Sequence, residues 1–290
     1  MEVFIWTEEA FDGHHGYLRG GVIEFQMDHS LLLKEYIKWG IVMFYSGLLS
    51  VSFRGKSAEQ IVKEAKENGL KFIEWGSDVH VPIRDDERLQ EVVALQKEYG
   101  ISCCSYGTYF YLGEDSLEDL PEYIRNAKAL GTDILRLWAG KKNPDLYTEE
   151  EKQAFFQECR KAAKIAEEAN VTLCLECHNH TYTENKDSAL EIMEAVNSPA
   201  FKMYWQPGTD KSIEDNIEYL RLIKKWIVHI HVYHWENQKP VPLENGRQHW
   251  LTYMKEFDDD RYFLMEFMPD SAPDRLAIQT ATLQSFIACF

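Results

Sequence analysis

The chain has 290 residues, a formal net charge of -17, 45 % apolar residues and 13 % aromatics. This acidity repels a phosphate backbone, which excludes long nucleic acid as a partner. No apolar run reaches the roughly 18 residues of a membrane span, and Met1 to His15 holds acids but no basic residue, unlike a secretory leader.

Residues 1–42 carry aromatics, the pair His14 and His15, and an amphipathic stretch from Ser30 to Trp39, but no strand–helix repeat. They read as an extension loosely attached to a domain of residues 43–290, or as residues ahead of a true start at Met43. A cap under the domain or an oligomer contact is the functional alternative. From Gly47 onward the pattern alternates. GLLSVSF (47–53) reads as a strand, and Ser57 to Gly69 as a helix with Ser57 as N-cap and Gly69 as its stop. LKFIEWG (70–76) is strand 2 and residues 85–100 helix 2. ISCCSYGTYF (101–110) is strand 3 and residues 116–131 helix 3. TDILRLWAG (132–140) is strand 4, followed by a helix from Thr148 to Asn170. VTLCLECHNH (171–180), FKMYWQPG (201–208), IVHIHVYHW (227–235) and YFLMEFMPD (262–270) are strands 5 to 8. Helices at 188–197, 212–226, 246–257 and 274–290 separate and close them. Eight strand–helix units of about 30 residues predict a closed (β/α)8 TIM barrel. An open doubly wound sheet is disfavoured, because FRGKS after strand 1 lacks a glycine-rich dinucleotide turn. The six cysteines are scattered, and Cys174 and Cys177 lie three apart on one strand and face opposite sides, so a reduced, cytoplasmic setting is expected.

In such a barrel the chemistry sits at the C-terminal ends of the strands. Strand parity puts Cys174 with Glu176, Tyr204 with Gln206, His229 with His231 and Leu264 with Glu266. Glu176, Gln206, His231 and Glu266 thus reach equivalent heights on four adjacent strands. Two carboxylates, an imidazole and an amide oxygen suit a divalent ion such as Mn²⁺, Mg²⁺, Co²⁺ or Zn²⁺. His229, one layer deeper, is expected to pack or to support His231. Around the same rim the sequence places Glu74, Trp75, Asp78, His80, Tyr106, Tyr109, Arg136, Trp138, His178 and Trp235. Of these, Trp75, His80, Tyr106, Arg136, Trp138, His178 and Trp235 are the candidate substrate contacts. Aromatic walls with polar tips fit the faces and hydroxyls of a sugar.

The chain resembles the xylose isomerase-like barrel superfamily, the sugar phosphate isomerase/epimerase group, over about residues 44–290. The resemblance is carried by FIEWGSDVHVP, SYGTYFYLG, ILRLWAG, LECHNHT, YWQPGTD, HIHVYHW and LMEF, in chain order. It implies a metal held by Glu, Asp, His and Glu, which fall here on Glu176, Gln206, His231 and Glu266. Gln206 departs from the usual Asp and removes one negative charge. Thr209 stands where a histidine often follows.

The expected activity is a metal-dependent sugar or sugar phosphate isomerase or epimerase. Glu176 and Glu266 would pass a proton through an enediolate, and Arg136, His178 and His80 would orient hydroxyls or stabilise charge. The first alternative is a lyase or dehydratase that uses the same enolate to expel a β-substituent. The second is a sugar-binding barrel without catalysis. A nuclease resembling endonuclease IV is disfavoured by the charge. The sequence leaves the sugar, its phosphorylation, the metal and homo-oligomerisation open.

Overall fold

Where several of the helices begin and end is written in their caps. Ser57 accepts from the Gln60 amide while the Gln60 side chain accepts from the Ser57 amide, which starts α1 (Ala58–Glu67). Thr148 and Glu151 do the same for α4 (Glu149–Ala169). Asp85 caps α2 (Asp86–Tyr99), and Gly100 at its end takes a left-handed conformation with φ 68°. Gly131 ends α3 (Leu120–Leu130) in the same way. Each such cap contributes about 1 kcal/mol. The remaining helices are α5 (Lys186–Val196), α6 (Ile213–Ile223), α7 (Arg247–Met254) and α8 (Pro273–Ile287).

The structure is a computed structural model that describes residues 42–269 and 273–290. The predicted N-terminal extension, apart from Val42, lies outside the described residues. Among the described residues no helix is long and apolar enough to cross a membrane.

Eight strands close into a parallel barrel: β1 (Phe44–Leu49), β2 (Phe72–Gly76), β3 (Ser102–Leu112), β4 (Ile134–Ala139), β5 (Thr172–Glu176), β6 (Phe201–Trp205), β7 (Ile227–Val232) and β8 (Arg261–Met265). Every strand pairs with its sequence neighbours, and β1 closes the ring on β8 from Phe44↔Arg261 to Leu48↔Met265. A two-residue ladder, Trp235–Glu236 against Lys239–Pro240, stands above β7. The expected first strand is corrected in its bounds. Pairing with β8 begins at Phe44, and Ser50–Phe53 coils into a 3₁₀ turn. The Ser50 hydroxyl accepts from the Gly76 amide at 2.9 Å, which ties this turn to the end of β2.

The barrel floor is a column of rings. Tyr45 stacks on Tyr262 at 5.0 Å, and Phe72 meets Tyr262 edge-on at 4.8 Å. His229 follows Tyr262 at 4.8 Å, and Tyr204 lies 5.2 Å from both His229 and His231. This column fills the lower barrel and leaves His231 buried at its top. It also predicts why residue 47 is glycine. A Cβ there would lie 2.5 Å from Leu264 Cδ2 and 3.0 Å from the Phe72 carbonyl oxygen. Gly47→Ala should therefore cost about 1–3 kcal/mol by overpacking. Urea unfolding would show this as a lowered midpoint at unchanged slope; an unchanged midpoint would mean that the floor has room to spare.

Candidate metal and active site

The charged centre rises from the inward residues of five strands. On β2, Glu74 points inward and is almost fully buried. Its Oε2 accepts from the Ser105 hydroxyl at 2.7 Å, and its Oε1 lies 3.4 Å from Arg136 Nε. Arg136, on β4 and also buried, reaches across to Glu176, with Nη1 3.1 Å from Glu176 Oε2. That contact is close enough for strong attraction but off the axis of a hydrogen bond. The barrel makes room for this pair at Gly107, where a Cβ would lie 2.6 Å from Glu74 Oε1 and 2.9 Å from Arg136 Nη2.

One layer higher, His231 turns its Nδ1 towards three oxygens: Gln206 Oε1 at 3.1 Å, Glu176 Oε1 at 3.3 Å and Glu266 Oε2 at 3.5 Å. The Gln206 amide nitrogen donates to the Cys177 carbonyl at 2.9 Å, which fixes its oxygen inward. Trp138 Nε1 donates to Glu176 Oε2 at 2.6 Å.

Three carboxylates (Glu74, Glu176, Glu266) against one guanidinium (Arg136) leave two negative charges in a largely buried cluster when His231 is neutral. Buried like charges of this kind demand a counter-charge. Without an ion they attract protons. Burial works against a charged His231, but Glu176, Glu74 and Glu266 raise it to about 10. Burial, then the charges of Glu176 and Glu74, push Glu266 up to about 7 against the opposing pull of His231 and Arg136. Glu176 and Glu74 go the other way despite their burial. Arg136 and His231 hold Glu176 well below the usual carboxylate range, and His231, Arg136 and Ser105 bring Glu74 to about 2.

The donor set fits a divalent cation. The ligand atoms of Glu176, His231 and Glu266 lie within 4.8 Å of one another. Glu266 Oε2 is buried without a hydrogen-bond partner, an orphan that an ion would satisfy. Donors around 2.1 Å from a common ion sit roughly 3 to 3.5 Å from each other. The spacings around His231 Nδ1 are of this size.

The other candidate contacts divide. Trp138 lines the site together with Tyr109, whose ring meets it edge-on at 5.0 Å. The Arg136 guanidinium lies 5.0 Å from the Trp138 ring centre and 5.7 Å from that of Tyr109. His178 packs on Trp138 at 5.5 Å, its Nδ1 engaged by the Asn179 carbonyl. Trp235 packs against Phe267 at 5.2 Å, and Phe267, at φ 55°, directly follows Glu266. Trp75, Tyr106 and His80 are not brought in. Trp75 Nε1 donates to Gln96 of α2, and the Tyr106 hydroxyl bonds the Val81 carbonyl, so both face the helix layer. Glu74 is inward, so its neighbour Trp75 must be outward. His80 spends its ring nitrogens on the Ser50 hydroxyl at 3.0 Å and the Lys56 carbonyl at 3.2 Å. Arg136 is walled in by two carboxylates and two rings, a placement for organising Glu176 rather than for orienting substrate hydroxyls. Glu74 and Tyr109, which the sequence places at the rim without naming them as contacts, are brought into the site. Alternation from Ser105 would have pointed Tyr109 inward and Tyr106 outward. A separate surface groove lined by Asn143, Asp145, Glu184, Asp187 and Glu191 holds none of these groups.

A profile of the xylose isomerase-like TIM barrel family matches residues 62–283. The chain belongs to this family. A 3-dehydroshikimate dehydratase of Bacillus anthracis is 25 % identical over 204 residues, 65 % of this chain and 71 % of that protein. Among solved structures, the probable 3-DHS dehydratase AsbF of Bacillus anthracis superposes with a TM-score of 0.71 at 21 % identity, over 83 % of this chain and 99 % of that one. A D-psicose 3-epimerase of Clostridium cellulolyticum H10, solved with D-tagatose, gives 0.60 at 12 % identity over 83 % and 98 %. The fold is thus shared with both a dehydratase and an epimerase, and it does not single out the isomerase class.

An ion entering the site must displace the protons it replaces. Below pH about 7 both Glu266 and His231 hold one, between about 7 and about 10 only His231 does, and above that neither. Divalent-ion affinity should thus rise with pH, by up to about tenfold per unit for each proton released. Calorimetry at pH 6, 7 and 8 in buffers of different ionisation enthalpy would register the released protons. Affinity flat with pH and free of proton release would remove this site.

Proposed function

We propose that the protein is a divalent-metal-dependent lyase that removes water from a small polyhydroxylated carbonyl compound, with 3-dehydroshikimate as the first substrate to test. The observation that carries this reading is the inequality of the two site carboxylates. Glu176 is pinned through both oxygens, by Trp138 at 2.6 Å, Arg136 at 3.1 Å and His231 at 3.3 Å. Glu266 has an oxygen without any hydrogen bond. One carboxylate is fixed as an anion, and the other can meet the ion through this oxygen while its second oxygen carries a proton. Epimerisation needs an acid and a base on opposite faces of the carbon, whereas elimination can use one group twice.

In this reading Glu266 takes the proton on the carbon next to the carbonyl, and the C–H electrons move to the carbonyl oxygen. When they return, the carbon–carbon double bond forms and the bond to the β-hydroxyl breaks. The proton on Glu266 goes to the departing hydroxyl, and one water leaves. No oxidant or reductant is required. A divalent ion held by Glu176, Gln206, His231 and Glu266 would polarise the carbonyl oxygen and balance its charge. Trp138, Tyr109 and Trp235 offer ring faces to the substrate, and His178 offers a polar edge. An isomerase or epimerase remains the second reading, favoured by the presence of two carboxylates at one site.

The test is direct. Protein stripped of metal and reloaded with Mn²⁺ is incubated with 3-dehydroshikimate and a panel of keto-sugars in deuterated water. The lyase reading expects a product lighter by one water, formed only with metal. Glu266→Gln should lower turnover by at least about 100-fold. Deuterium appearing in a recovered epimer or isomer, with no dehydrated product, would replace the lyase by the second reading.

A further inference from the structure

His231 is fully buried and uses only one edge to face the site. Its other nitrogen, Nε2, makes no hydrogen bond within 3.5 Å and looks towards one charged group, Glu74 Oε2, at 3.7 Å. We infer that Glu74 is a positioning residue that keeps the His231 ring with Nε2–H turned to the barrel floor and Nδ1 presented to the ion. The inference rests on the metal-dependent reading of the site.

Three observations support it. The two oxygens of Glu74 have separate partners: Arg136 Nε faces Oε1, while the Ser105 hydroxyl anchors Oε2, the oxygen that looks at His231. Neutralising Arg136 therefore does not use up the carboxylate. Glu74 also lies in the layer beneath the site. Arg136 pairs in register with Cys174, two residues before Glu176, and Gly107, opposite Arg136, is the residue whose missing Cβ admits Glu74. Finally, the Tyr204 ring stands edge-on to His231 at 5.2 Å, so the imidazole is gripped from its side but receives no polar bond there. A carboxylate behind a ligating histidine fixes its tautomer and strengthens the nitrogen that binds the ion. The 3.7 Å gap is longer than a hydrogen bond, and such contacts tighten when the site fills.

The experiment compares Co²⁺ binding and the visible Co²⁺ spectrum in the full chain. Glu74→Gln keeps the shape and removes the charge. It should weaken Co²⁺ binding by about 10- to 100-fold, shift the Co²⁺ absorption bands and leave the far-ultraviolet circular dichroism intact, while Glu74→Asp recovers part of the affinity. A Glu74→Gln protein with wild-type affinity and spectrum overturns the inference and leaves the metal-dependent reading standing. Wild-type protein that binds no divalent ion overturns both. If Glu74→Gln does not fold, Ser105→Ala replaces it. It frees Oε2 and should weaken Co²⁺ binding about threefold, a fraction of what one hydrogen bond to a charged group contributes; unchanged affinity and spectrum there also overturn the inference.

Discussion

The centre of this barrel is organised by an excess of buried negative charge. Glu74 and Glu176 share one buried arginine, and Glu266 adds a third carboxylate at the edge of the same interior. Burying carboxylates is expensive, and the fold lowers the cost with hydrogen bonds from Ser105 and Trp138 and with the Arg136 bridge between two strands. What is left uncompensated lies at one point, between His231, Gln206 and Glu266. This residual charge is what makes the point a candidate site for a cation.

The layers beneath explain why the site can hold this tension. The ring column from Tyr45 to Tyr204 keeps solvent out of the lower barrel and gives the imidazole of His231 a rigid seat. Above it, Glu74 and Arg136 form a charged floor. Glu176 is thereby fixed from below and from the side, while Glu266 keeps an oxygen in reserve. A pair of carboxylates that look alike in sequence is placed in two different environments because their neighbours differ.

The fold and the four candidate ligands were legible from the chain because both depend on periodicity. Strand–helix alternation gave the barrel, and two-residue alternation gave Glu176, Gln206, His231 and Glu266 a shared face. The errors arose where periodicity says least. Trp75 and Tyr106 were placed by their nearness to strand ends, although Glu74 and Ser105 occupy the inward face beside them. His80 was placed by residue type, while its loop folds back onto Ser50 and Lys56. The register of β3 against β4 shifts between Gly107 and Tyr111, which no pattern of apolar residues announces. The role of Glu74 was hidden for another reason: a partnership across the barrel, from β2 to β4 and β7, leaves no trace in local spacing.

Phe267 carries a further implication. A bulky aromatic with φ 55° sits in a conformation that glycine would adopt at less cost. The ring is held there by Tyr233 at 5.4 Å and Trp235 at 5.2 Å. The backbone bend that aims Glu266 and the short ladder above β7 are thus parts of one mechanical unit. Lengthening or trimming that ladder would re-aim an acid lying in another segment of the chain, so the ladder and the Glu266 side chain cannot change independently.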